Sequence, residues 1–211
     1  MAFKQTKCFK WLDNFWYHYK VHTLVGLFLA FVVIFSAVQL LTVQSYDYYV
    51  ILYSTDTTST DLSQGMAYAL EQYGEDLDSD GEVTVQILNM SYNPSSDSQS
   101  FQIAQSGALN GELQNDRCYL FITDDHRFEE LDKRGLFAAQ PGLDDHDGKG
   151  LQLNDTQFMT ALSDYLQSIG LSGRNIPTLW MSCRVPPEQN TTGYTHYQQA
   201  ADLLQQIRRQ G

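Results

Sequence analysis

Two kinds of apolar pattern divide the chain. From Leu24 to Val43 the sequence "LVGLFLAFVVIFSAVQLLTV" runs without a formal charge. As a helix it is long enough to cross a hydrocarbon layer roughly 30 Å thick. It has no polar face, which excludes a buried amphipathic helix. Beyond it the apolar residues come in short bursts. "YYVILYS" (48–54), "VTVQILNM" (83–90), "CYLFIT" (118–123) and "TLWMSCRV" (178–185) have the length and the β-branched or aromatic content of strands. Between them apolar positions recur at helical spacing. Leu62, Met66, Ala69, Leu70 and Tyr73 form one such set, and Phe101, Ile103, Ala104, Ala108 and Leu109 a second, weakened by Gly107 and Gly111. "HRFEELDKRGLFA" predicts a short helix ending at Gly135. Phe158, Ala161, Leu162, Tyr165, Leu166 and Ile169 make a single stripe, and "YTHYQQAADLLQQIRR" closes the chain as a helix with arginines at its negative end.

Strands alternating with helices predict an α/β fold, because each parallel step needs a crossover and a helix provides it. The expectation is a single three-layer domain with a mostly parallel sheet, preceded by one transmembrane helix. Residues 1–20 form a cytoplasmic segment, 21–44 a transmembrane signal anchor and 45–211 an extracytoplasmic α/β domain. Charge sets the orientation. Lys4, Lys7, Lys10 and Lys20 precede the apolar run against Asp13 alone, which holds the N-terminus inside and exports the rest. Trp11, Phe15, Trp16, Tyr17 and Tyr19 supply an inner aromatic belt, and Tyr46, Tyr48 and Tyr49 an outer one. A cleaved signal peptide would have a shorter apolar core and a small-x-small end, whereas this run ends in "QLLTVQSY".

Residues 44–211 carry nine Lys and Arg against 24 Asp and Glu, a formal charge of −15. That balance repels nucleic acid and anionic lipid and favours cations. Of three cysteines, Cys8 falls on the cytoplasmic side; Cys118 and Cys183 fall at opposite ends of a parallel sheet, too far apart for a bridge, and are expected as free, mostly buried thiols.

In an open parallel sheet the binding crevice lies beyond the carboxyl ends of the strands. Asp56, Asp124, Asp125 and Arg184 follow strand ends and are the candidate binding rim, with Arg184 either ordering the acids by ion pairing or holding an anion in its planar fork. No nucleophile has an adjacent base, so no catalytic residue is assigned. The chain is expected to be non-enzymatic; a hydrolase using the acidic rim is the alternative.

"EDLDSDGEV" (75–83) contains D-x-D-x-D-G, in which alternating carboxylates converge on one hard cation and the glycine permits the sharp turn. Asp76, Asp78, Asp80 and Glu82 are the candidate ligands for calcium. The twelfth position, which in an EF-hand is a bidentate Glu, is Ile87 inside a predicted strand, so the site would be weak or the loop a solvated acidic turn.

The opening "YYVILYSTD", the helix leading into "YGEDLDSDGEVTVQILN", and "FQIAQSGALNGELQNDRCYLFITDDHRFEELDKRGLF" resemble the first lobe of bacterial extracellular solute-binding proteins, over Asp47 to Phe137. The resemblance implies a surface protein with an α/β lobe, related to the binding components of ABC importers. The expected function is a non-enzymatic binding or interaction module, with a protein partner expected in a transport or envelope complex. It covers one lobe of such a protein, and the apolar run stands where a lipidated cysteine is common in that family.

Overall fold

The computed structural model describes residues 7–41, 45–56, 59–171 and 176–210, with the side chains of 7–16, 18 and 37–41 left out. Lys4, Thr42 and Val43 lie outside the described residues, as do the side chains of Lys7, Cys8, Lys10, Trp11, Asp13, Phe15 and Trp16. The chain divides into two units, 1–44 and 45–211.

The first unit is one helix, α1 (Lys7–Leu41). Its stretch Tyr19–Ser36 is long and apolar enough to cross a membrane, with a mean hydropathy of 1.8 and none of it buried. Large apolar side chains such as Leu27, Phe28, Phe31 and Val33 are exposed to between 62 and 71%. A helix apolar all round needs an apolar environment.

The second unit contains β1 (Tyr48–Tyr53), α2 (Thr60–Glu71), β2 (Val85–Asn89), α3 (Gln99–Leu113), β3 (Leu120–Thr123), α4 (Asp125–Lys133), β4 (Leu151–Gln152), α5 (Gln157–Ser168), β5 (Trp180–Cys183) and α6 (Thr192–Gln210). The strand order is β2-β1-β3-β5-β4. Strand β1 pairs in parallel with β2 and β3, and its side chains alternate between two cores. Val50 and Leu52 pack with Met66 and Leu70 of α2, Phe158 and Leu162 of α5 and Leu203 and Leu204 of α6. Ile51 and Tyr53 pack with Leu109 of α3 and Phe128 and Leu131 of α4. Both faces of the sheet are therefore covered, which is why β1 and β3 read as unbroken apolar runs.

The expectation of a mostly parallel sheet is corrected: the sheet is mixed. Strand β5 pairs antiparallel with both β3 and β4. A lone crossover helix would deliver the next strand parallel. Here the chain after α5 re-enters the sheet at the end where β4 left it, the Leu153 amide donating to the Leu179 carbonyl at 2.9 Å. Strand β5 consequently enters the sheet beside the carboxyl end of β4 and runs back.

The reversal moves two residues. Cys183 pairs with Leu120 at the start of β3, so Cys118 and Cys183 lie near the same end of the sheet, not at opposite ends. They are nevertheless both free and buried, because they belong to opposite cores, Cys183 on the α2, α5 and α6 side and Cys118 on the α3 and α4 side.

Candidate functional site: the carboxyl rim of the sheet and the acidic loop

The carboxyl ends of β1 and β3 bring Ser54, Thr55 and Asp124 together. Asp124 is 7% exposed and caps α4, accepting from the Arg127 amide at 2.8 Å. It also accepts from the Ser54 hydroxyl at 3.0 Å, from the Thr55 amide at 2.6 Å and from the Thr55 hydroxyl. Burial works to raise its pKa, but the bonds from the Thr55 side chain and amide, the Arg127 amide and Ser54 outweigh it and hold the carboxyl below the usual carboxylate range. Asp124 is thus an ionised structural hub, tying the end of β1 to the start of α4. Asp125, one residue on, is exposed and accepts from the Trp180 indole N–H at 2.6 Å. Asp56 is exposed at the same rim, its amide donating to Ser54 Oγ at 3.2 Å.

Arg184 is not at this rim. Because β5 is antiparallel, its last residues lie at the opposite end of the sheet, where the Arg184 amide donates to the Tyr119 carbonyl at 2.9 Å and the guanidinium sits 5.5 Å from the Tyr119 ring. The predicted pairing with Asp56, Asp124 and Asp125 is therefore geometrically excluded. The residue that β5 does bring to the rim is Trp180, at its start.

The rim's cation is Arg127, which the sequence reading missed. Its side chain is 3% exposed, and its guanidinium lies 4.4 Å from the Tyr53 ring centre and 4.1 Å from that of Tyr92. It pairs with Glu130 at 2.6 Å and donates to the Tyr92 carbonyl at 3.1 Å. A tyrosine closing β1 and another shortly after β2, facing an arginine in the first turn of α4, was the available signal. Beside this cluster the ring of His146 lies 4.1 Å from Phe128 and 4.3 Å from Trp180. Both His146 and Asp147 have positive φ, at 50° and 56°, in the left-handed region that costs non-glycine residues about 1–2 kcal/mol each.

At the other end of the sheet the acidic loop folds around its first carboxylate. Asp76 accepts from the amides of Ser79, Asp80 and Gly81 at 2.6, 3.2 and 2.9 Å. Asp47, just before β1, joins it and accepts from the Leu77 amide at 2.7 Å and the Thr84 amide at 2.8 Å. One carboxylate oxygen from each of Asp47, Asp76 and Asp78 lies within 4.8 Å of the others, a group that could hold a metal ion. Of the predicted ligands Asp76 and Asp78 belong to this group, while Asp80 and Glu82 do not. Asp80 is instead turned to its own loop, accepting from the Glu82 amide at 2.9 Å. Asp47 escaped the sequence reading because it is 29 positions from Asp76 and is brought to it only by the pairing of β1 with β2.

No family model, no curated protein and no solved structure matches this chain.

Proposed function

We propose that this chain is a single-pass membrane protein in which α1 crosses the bilayer with the N-terminus cytoplasmic, and the α/β lobe stands outside as a non-enzymatic binding or interaction module, similar to one lobe of a solute-binding protein and working beside a transport or envelope complex. One observation carries the non-enzymatic part: Asp124, the acid best placed for chemistry, is consumed by four structural hydrogen bonds that favour its ionised form. A hydrolase needs a group that exchanges protons with a substrate near neutral pH. A carboxylate held ionised and buried as a helix cap is poorly suited to that work. The same lobe, on this reading, holds calcium weakly through Asp47, Asp76 and Asp78. What supports this is that a carboxylate from outside the loop converges on the loop's own.

The placement is tested with a Ser95→Cys variant of the full chain, made in intact cells and treated with a membrane-impermeant maleimide. Ser95 is exposed while Cys118 and Cys183 are buried, so labelling above the unsubstituted chain reports the introduced thiol alone. Labelling before lysis is expected; labelling only after lysis overturns the orientation. Hydrolytic turnover abolished by Asp124→Asn in a folded protein would replace the binding-module reading with the hydrolase.

A further inference from the structure

Helix α6 and the turn 140–142 line a groove of about 550 Å³, and none of its lining residues belongs to the rim or to the acidic loop. The two walls are joined by three hydrogen bonds between residues far apart in sequence. Gln140 Nε2 donates to the Tyr197 hydroxyl at 3.1 Å, Gln205 Nε2 to the Pro141 carbonyl at 3.0 Å, and Arg208 Nη1 to the Gly142 carbonyl at 3.3 Å. Arg208 Nε also donates to Gln205 Oε1 at 2.9 Å. Two of the five guanidinium N–H groups are thereby used to hold the fork in place, and three remain on Nη1 and Nη2. Gly142 permits this position: it has φ of 77°, and a Cβ there would lie 2.9 Å from Nη1.

The arginine is held but not neutralised. Among the described residues the ion pairs take Arg117, Arg127, Lys133 and Lys149; Arg208 and its neighbour Arg209, which also lines the groove, take none. In a lobe with a formal charge of −15 two unpaired arginines at one groove are a local reversal of sign. Part of their placement answers the negative end of α6. The macrodipole does not account for a guanidinium that donates to the Gly142 carbonyl of the 140–142 turn, nor for the apolar side chains of Pro141, Tyr197 and Ala201 beside it. Asp202 lines the far part of the groove, six residues and about 9 Å of helix from Arg208, and bars a second negative charge there.

We infer that this groove binds a small ligand bearing one oxyanion, a carboxylate or a phosphate, on an apolar or aromatic body, with Arg208 holding the anion and the body lying on Tyr197, Ala201 and Pro141. A planar guanidinium with N–H groups on adjacent nitrogens matches either oxyanion in two-point fashion. Screening at physiological salt confines the repulsion from the rest of the lobe to about 8 Å. Binding of this kind does not depend on which compartment the lobe occupies.

The test uses the full chain, ¹⁵N-labelled, in lipid nanodiscs, and reads the Arg208 Nε–H resonance during titration with phenylacetate, phenyl phosphate and the neutral phenylacetamide. Reading the arginine itself separates groove binding from partition of the probes into lipid. A saturable shift is expected with at least one anion, at a Kd of order 1 mM and at least about tenfold tighter than with the amide. Whichever anion binds tighter identifies the oxyanion as carboxylate or phosphate. Because Arg208→Gln removes the reporter resonance, in that variant binding is followed at the Gly142 amide, and the preference for the anion should disappear. If Arg208→Gln does not fold, the near-isosteric Gln205→Glu, which sets a carboxylate against the guanidinium, should weaken the anion about tenfold or more. Equal affinity for anion and amide, unchanged binding in the folded variant, or no saturable shift with either anion overturns the inference.

Discussion

Asp124 shows how much structure one side chain can organise. Removing its carboxylate in Asp124→Ala strands the Ser54 hydroxyl, the Thr55 amide and the Arg127 amide, and takes away the cap of α4. A loss of about 2–4 kcal/mol is expected from urea unfolding of the full chain in micelles. The pH dependence has a definite sign. The folded carboxyl is held below its unfolded value of about 3.9, so its stabilisation is complete above that pH and is lost as pH falls through the lowered folded value. Asp124→Asn, which cannot titrate, should flatten that acid limb. An unchanged limb would mean that Asp124 does not carry it.

Among the elements, helix existence was largely legible from periodicity, and α2, α5 and α6 form where their stripes predict them because each stripe meets the same core. Strand β4 was not legible: two residues at a sheet edge leave no period to read. The direction of β5 was not legible either, since "TLWMSCRV" reads the same in either orientation and only the path of the connection decides it. That one reversal is why Arg184 was placed at the wrong end of the sheet while Trp180 was overlooked at the right one. Helix packing also has a feature that pattern alone hides. Gly65 sits where α2 meets α5, and a Cβ there would come within 2.7 Å of Leu162 Cδ1 and 2.9 Å of Tyr165 Cδ1. Helix propensity favours almost any replacement by up to about 1 kcal/mol, yet overpacking should win: Gly65→Leu is expected to cost about 2 kcal/mol net by denaturant titration. A stabilised variant would mean that the two helices are free to separate.

For the whole molecule the governing quantity is the −15 charge of the lobe, which disfavours a compact state by self-repulsion. Any cation relieves that repulsion generally, so a specific calcium site must do more than screening. With a Kd near 1 mM, 10 mM calcium should stabilise the lobe by about 1.4 kcal/mol. The rise in Tm should exceed that given by sodium chloride at equal ionic strength, and Asp47→Asn should remove the excess. If sodium matches calcium, or the variant responds like the parent, the acidic loop is only a solvated turn.

The partition of the two thiols between the faces of the sheet has a chemical corollary. Burial pushes both Cys118 and Cys183 up to about 12, which leaves almost no thiolate to attack an oxidant or a disulfide at neutral pH. With a layer of backbone between the sulfurs, an internal crosslink could form only after β3 and β5 had come apart. Cys118 and Cys183 of the folded lobe are therefore expected to stay reduced when the milieu changes from reducing to oxidising.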